Sequence, residues 1–230
     1  MPASRESGRK SDSPPQGEEA YRALLEEIRT GKLGPNDRLT ETDIAARLKI
    51  SRTPVREAIR LLESDGLVSH VPRVGAAVRS LDYSEIMELY DMRAVLEATA
   101  ARLAARVAST VELQELAEIN CEMSAALHLG ADKLYELNRQ FHLTLLDAAK
   151  NRFLSKAVNG LQKTLLILGP STLEEAERAA EAQTEHDAIM AALLARDGAA
   201  AETAMRVHIE AAHRTRLRVL RARERSEEHV

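Results

Sequence analysis

The chain has 230 residues, 44% of them hydrophobic, with a formal charge of −4, a single cysteine and no tryptophan. That length and apolar content suit two compact domains and exclude wholesale disorder, while the lone Cys121 excludes an intrachain disulfide or a cysteine-based zinc cluster and fits a reducing cytoplasm. Only 3% of residues are aromatic, too few for the base-stacking platforms of RNA and single-strand binders, and no apolar run is long enough for a membrane span.

Residues 1–17, MPASRESGRKSDSPPQG, are polar and rich in Pro and Ser, so they read as a disordered tail rather than a signal peptide. Residues 18–79 are expected to form a DNA-binding domain. Within them, LTETDIAARLKISRTPVREAIRLLESDGLVSHVPRVGAAV begins at Leu39. A first helix opens at Thr40, with Asp43 at capping-box spacing and Ile44, Ala45 and Leu48 on its apolar face. Lys49 and Ile50 connect it to a second helix, for which Ser51 suits the N-cap and Pro54 the first turn, where no intrahelical partner is lost.

That second helix ends before Gly66 and buries Val55, Ala58, Ile59 and Leu62. Arg52, Thr53, Arg56 and Arg60 then share its exposed face. Strands over 67–71 and 76–79 follow, with Arg73 at the tip of the hairpin between them. Helix, tight turn, basic helix and basic hairpin describe a winged helix-turn-helix. The N-terminal end of a recognition helix reaches base edges in the major groove, and arginine can grip a phosphate or guanine there. The charge is distributed accordingly. Residues 38–79 hold eight basic against five acidic side chains, while residues 82–200 hold eleven against nineteen.

Residues 80–82 form a short linker. From Tyr83 the periodicity is helical, punctuated by Gly130, Asn151, Gly169-Pro170 and Asp197-Gly198, with capping boxes at Asp82/Glu85, Ser109/Glu112 and Ser171/Glu174. The spacing predicts about six helices, near 83–107, 111–128, 131–149, 152–168, 172–196 and 199–223, and a tail over 224–230. The expected fold is mainly α, with an N-terminal winged helix-turn-helix, a small β-hairpin wing and a C-terminal antiparallel helical bundle.

Polar residues on apolar faces carry the chemistry of this bundle. Asn138 and His142 are one turn apart on a stripe with Phe141 and Leu145, His186 precedes Ile189, Met190 and Leu193, and His208 lies between Ala204 and Ala212. Each histidine alone suits a satisfied core residue; three on three helices suit a metal site. His128, His213 and His229 lack such company. Arg93 lies on a stripe with Ile86, Tyr90, Glu97 and Ala100, where it serves either as a carboxylate anchor or as the i, i+4 partner of Glu97. Glu185 beside His186 leaves a metal-dependent hydrolase as the alternative, although HExxH is absent and no second acid is suitably spaced. The run Arg214, Arg216, Arg218, Arg221, Arg223 and Arg225 reads as a solvated face or, less directly, as a surface for an acidic partner.

The string SRTPVREAIRLLESDGLV with its P-R-x-G wing resembles the GntR family of bacterial winged-helix regulators, over residues 20–79. The resemblance implies base and phosphate recognition by Arg52, Thr53 and Arg56, with Arg73 in the wing. Some members carry arginine where this chain has Thr42. NRQFHLTLL, EHDAIMAALLARD and AMRVHIEAA resemble the FCD ligand-binding domain of FadR-type members, over residues 83 to about 223. By that likeness Asn138, His142, His186 and His208 ligate a divalent metal, zinc, nickel or manganese. Asparagine departs from the commoner aspartate and brings no negative charge. The likeness also places Arg93 in the effector cavity, and since one winged helix reading one half-site gains specificity by pairing with a second, a homodimer in the cytoplasm is expected. Such a dimer would act as a ligand-responsive repressor on a pseudo-palindromic double-stranded operator, sensing a small organic acid.

Overall fold

Helix α1 (Gln16–Arg29) opens the computed structural model, which describes residues 15–227. Its buried stripe of Gly17, Ala20, Leu24 and Ile28 packs on α3 (Arg52–Ser64). A Cβ on Gly17 would meet Glu57 Oε2 at 2.7 Å, the movable end of a side chain, and Glu57 Cβ and the Pro54 carbonyl at 3.4 and 3.7 Å. Gln16 and Gly17 are thus helical where the sequence suggested a tail; the fourfold spacing of small and apolar residues overrides their polar flank.

Helix α2 (Glu41–Leu48) and α3 are joined through Lys49, which adopts the left-handed conformation with φ 56°. Thr40 and Ser51 do occupy N-cap positions with extended backbone, but neither side chain makes a capping hydrogen bond. The expected Thr40/Asp43 box is absent: aspartate is a methylene shorter than the glutamate that normally reaches back. Burial on α3 falls on Pro54, Val55, Ala58, Ile59 and Leu62, as its periodicity requires. Strands β1 (Val68–Val71) and β2 (Gly75–Val78) form an antiparallel hairpin in which Val68 faces Val78 and Val71 faces Gly75. Arg73 is exposed at the tip with φ 67°. This first compact unit ends at Arg79.

The second unit begins at Ser80 and contains α4 (Tyr83–Val107), α5 (Thr110–Ala126), α6 (Ala131–Ala148), α7 (Arg152–Leu165), α8 (Ala176–Leu194) and α9 (Gly198–Glu227). Reciprocal capping boxes form at Asp82/Glu85 and Ser109/Glu112, while Asn151 caps α7 by accepting from Phe153 and Leu154 N–H. The third expected box does not start α8. Ser171 caps only a 3₁₀ turn at Thr172–Glu174, and α8 begins at Ala176. Likewise the segment expected to be helical through 168 tightens into a 3₁₀ turn at Leu166–Leu168. Helix α9 continues to Glu227, past the start of the expected tail. The remainder of both tail spans, and His229 with them, lies outside the described residues.

Helix α4 buries Ala94, Ala98, Ala101 and Ala105 among other alanines and makes its most extensive contacts with α9. Small side chains let two backbones approach closely, and Gly198 extends the effect: a Cβ there would meet the Arg102 carbonyl at 3.1 Å. Arg216 corrects the reading of the final arginine run as solvated. It is buried and donates to the Leu168 and Pro170 carbonyls at 3.1 and 2.9 Å, closing the end of the 3₁₀ segment whose orphaned carbonyls need partners.

Candidate functional site

Helix α6 presents His142, α8 presents His186 and α9 presents His208, all buried, and one ring nitrogen from each comes within 4.8 Å of the others. Phe141 walls the cluster, its ring centroid 4.4 Å from that of His186. Two carboxylates set the imidazoles from behind. Glu97 Oε2 is 2.7 Å from His142 Nδ1, and Glu185 Oε2 is 2.7 Å from His208 Nδ1. At His208 the carboxylate hydrogen bond holds the ring proton on Nδ1 and leaves Nε2 with its lone pair, the arrangement found behind metal-ligating histidines, while Glu97 meets His142 Nδ1 as a close charge contact outside hydrogen-bond geometry. His186 Nε2 and His208 Nε2 face each other at 3.4 Å.

Each carboxylate is itself held by an arginine. Arg93 Nε donates to Glu97 Oε1 at 2.9 Å, and Arg178 Nη2 donates to Glu185 Oε2 at 2.7 Å. Two relays of the same order, Arg93–Glu97–His142 and Arg178–Glu185–His208, therefore converge on the cluster. Burial opposes a charge on Glu97, yet Arg93 and then His142 outweigh it and hold the carboxyl at about 2. At Glu185 burial prevails over Arg178 and the pKa is raised. His186 and His208 are pushed well below the ordinary imidazole value, first by burial and then by neighbouring charge and imidazole. Neutral imidazoles with free lone pairs are the form that binds a metal.

Several buried polar atoms here have no hydrogen-bond partner: Asn138 Oδ1, His142 Nδ1, His186 Nδ1, and Arg178 Nε and Nη1. Arg178 is 1% exposed, and a second carboxylate, Glu181, lies 3.7 Å from Nη1. Buried polar groups are nearly always satisfied, so unpaired ones gathered on α6 and α8 mark a place for ligand atoms. The donor set fits a divalent ion: three imidazoles and an amide oxygen one helical turn before His142.

Arg93 has the Glu97 partner that its spacing allowed, and its guanidinium also lies over the Tyr90 ring at 5.2 Å. Glu185, considered as a hydrolytic base, is engaged by both Arg178 and His208. His213 stands outside the histidine cluster, its ring stacked on Tyr90 at 4.6 Å and 5°. Arg178 escaped the sequence reading altogether. One available signal was its placement two turns before Glu185 on the same helix face.

In the first unit, Arg52, Thr53, Arg56 and Arg60 are exposed together along α3. Arg56 makes a two-point pair with Glu41, Nε to Oε1 and Nη2 to Oε2, both at 2.8 Å. Arg52 Nη2 reaches the same Oε2 at 3.0 Å. Arg60 and Arg73 take part in no ion pair among the described residues.

Residues 16–78 match the family described as bacterial regulatory proteins, gntR family, and residues 88–211, more than half of the chain, match the FCD domain. The Nta operon transcriptional regulator of Aminobacter aminovorans is 32% identical over 131 residues, which cover 57% of this chain and 62% of that relative. The chain thus spans less than two thirds of that relative's length. The HTH-type transcriptional repressor RspR of Escherichia coli (strain K12) is 26% identical over 197 residues, 85% of this chain and 86% of the relative. Among solved structures, E. coli McbR/YncC superposes with a TM-score of 0.73 at 21% identity, covering 92% of this chain and 100% of that one. At such identity the likeness concerns the fold. Among the described residues no helix is long and apolar enough to cross a membrane.

Proposed function

We infer that this chain, which belongs to the GntR family of bacterial regulatory proteins and carries an FCD domain, is a ligand-responsive transcriptional regulator acting in the cytoplasm. Its family and relatives are regulators rather than enzymes. The winged helix reads double-stranded DNA through Arg52, Thr53, Arg56, Arg60 and Arg73. The helical domain senses a small organic acid. Since one recognition helix reads one half-site, specificity is gained by pairing, and the working form is a homodimer on a pseudo-palindromic operator. The repressor name of one relative favours repression.

The observation that carries the sensing role is the convergence of the two Arg–Glu–His relays on three buried histidines. Asn138, His142, His186 and His208 would hold the ion, and Glu97 and Glu185 would fix the rings. When bound, a divalent ion supplies positive charge and an open coordination position to a carboxylate. Arg178, whose Nε and Nη1 make no hydrogen bond, provides a second contact for an oxyanion, and Arg93 completes the positive rim.

The test is a thermal-shift screen of metal-loaded protein against small organic acids, followed by DNA binding with each hit. A ligand specific to the folded state raises its melting temperature. An acid that both stabilises the protein and changes its DNA affinity supports this reading; stabilisation that leaves DNA binding untouched removes the regulatory role.

A further inference from the structure

We propose that Glu41 sets DNA specificity without itself reading DNA, by aiming the two arginines that do. The inference rests on the assignment of Arg52 and Arg56 to DNA recognition. Glu41 is the first residue of α2, Arg52 the first of α3, and Arg56 lies one turn further along α3. A single carboxylate from one helix therefore spans both cationic side chains on the other. The fork on Arg56 engages Nε and Nη2 at 2.8 Å each, and Arg52 gives only Nη2 at 3.0 Å.

This arrangement consumes the Nε/Nη2 edge of Arg56 and one Nη2 N–H of Arg52 and leaves their other donors available. Arg56 retains Nη1, while Arg52 retains Nε and Nη1. A planar fork fixed along one edge has its remaining N–H vectors fixed too, and those vectors decide whether guanine O6/N7 or a phosphate is met. Both arginine side chains are more than half exposed. Without a partner each would sample many rotamers and lose that freedom on binding; held in place, they lose less of it on contact. The pair of arginines lowers the Glu41 pKa to about 2, so the carboxylate stays charged at any pH at which DNA is bound. Arg60, one further turn along α3, has no such holder among the described residues and is suited to the less directional contact with phosphate.

A charge argument alone gives the opposite expectation for affinity. Glu41 is an anion beside a polyanion, and its removal strengthens sequence-independent attraction. Aiming and repulsion are therefore separable by measuring two DNA molecules rather than one. The full-length protein is first taken through selection on a randomised duplex to obtain its consensus. Wild type, Glu41→Gln and Glu41→Ala are then titrated by fluorescence anisotropy, at one fixed salt concentration, against that consensus and against a shuffled duplex of the same composition.

The expected result is at least a tenfold fall in the ratio of consensus to shuffled affinity for both variants, with consensus binding weakened and shuffled binding equal or stronger. A ratio that is unchanged or raised overturns the proposal, as does failure of the wild type to select any consensus. Glu41 is partly exposed at a helix end, and unchanged melting curves confirm that the variants are folded; if Glu41→Gln unfolds, Glu41→Ala decides alone. Arg52→Ala and Arg56→Ala are run alongside. If both bind the consensus like wild type, the DNA-reading assignment fails and this inference with it; if both weaken while Glu41→Gln keeps the ratio, only the aiming role fails.

Discussion

His186 Nε2 and His208 Nε2 lie 3.4 Å apart, with Glu185 2.7 Å behind His208 Nδ1. The ring proton held on His208 Nδ1 by Glu185 leaves the His208 Nε2 lone pair free, and two imidazole nitrogens this close would suit a shared divalent ion. His142→Ala and His186→Ala are each expected to abolish stoichiometric metal, because one of very few protein ligands is lost. Elemental analysis after reconstitution reads this directly; wild type that takes up no zinc, nickel or manganese removes the ion from the mechanism.

Glu97→Gln leaves all three histidines in place and should still weaken metal binding by about 10- to 100-fold, the usual effect of losing an outer-shell partner. The amide no longer balances Arg93, and its charge contact with His142 Nδ1 is lost. Competition with a chromophoric chelator gives the affinity, and an unchanged value would show that Glu97 serves Arg93 alone.

Asn138 Oδ1 is buried without a hydrogen-bond partner, and an amide oxygen supplies no charge against a divalent cation. Asn138→Asp should tighten metal binding while lowering the stability of the metal-free protein, since an unpaired buried carboxylate is costly. Paired melting curves with chelator and with excess zinc show the two effects with opposite sign. A variant destabilised equally in both would mean that position 138 does not face the ion.

Much of this was legible from spacing. The apolar stripes located α2 through α9, and the i, i+4 relation of Asn138 to His142 marked the inner face of α6. Caps were less legible where a residue type fits two structures: Ser171 and Glu174 have capping-box spacing, yet Gly169-Pro170 sends the chain through a 3₁₀ turn before α8 can start. The shared face of Arg178 and Glu185 was open to reading, but their joint role was not. Their partnership with His208 spans two helices, and nothing local in an alanine-rich helix distinguishes a buried arginine from a solvated one. The same holds for Arg216 within its run of arginines and for Glu41, whose partners are on the next helix.

The Ser109/Glu112 cap gives a pH test. Glu112 is lowered from 4.5 to about 2, chiefly by its hydrogen bonds with Lys150 and then with Ser109. Its folded pKa lies below its unfolded value, so its contribution is present in full above about pH 4.5 and is lost as pH falls through about 2. The group is exposed and solvent screens it, which limits the contribution to about 1 kcal/mol or less. Denaturant unfolding of wild type and Glu112→Gln should show that gap at pH 7 and a smaller one at pH 3. A gap independent of pH would assign it to hydrogen-bond geometry rather than charge.

Arg178 separates ligand binding from metal binding. Its Nη2 is occupied by Glu185, while Nε and Nη1 make no hydrogen bond in a nearly inaccessible position, Nη1 having Glu181 at 3.7 Å. Arg178→Lys preserves the charge but removes the planar edge on which two-point contact with an oxyanion depends. An acid present at 100 times its Kd stabilises wild type by about 2.7 kcal/mol. Loss of a charge-assisted contact, about 1.5–3 kcal/mol, removes most of that gain. The variant should keep its zinc content and its DNA affinity in the absence of acid, while its acid-induced melting shift largely disappears. If the shift survives intact, Arg178 serves only to hold Glu185, and the oxyanion must be bound by the ion and Arg93.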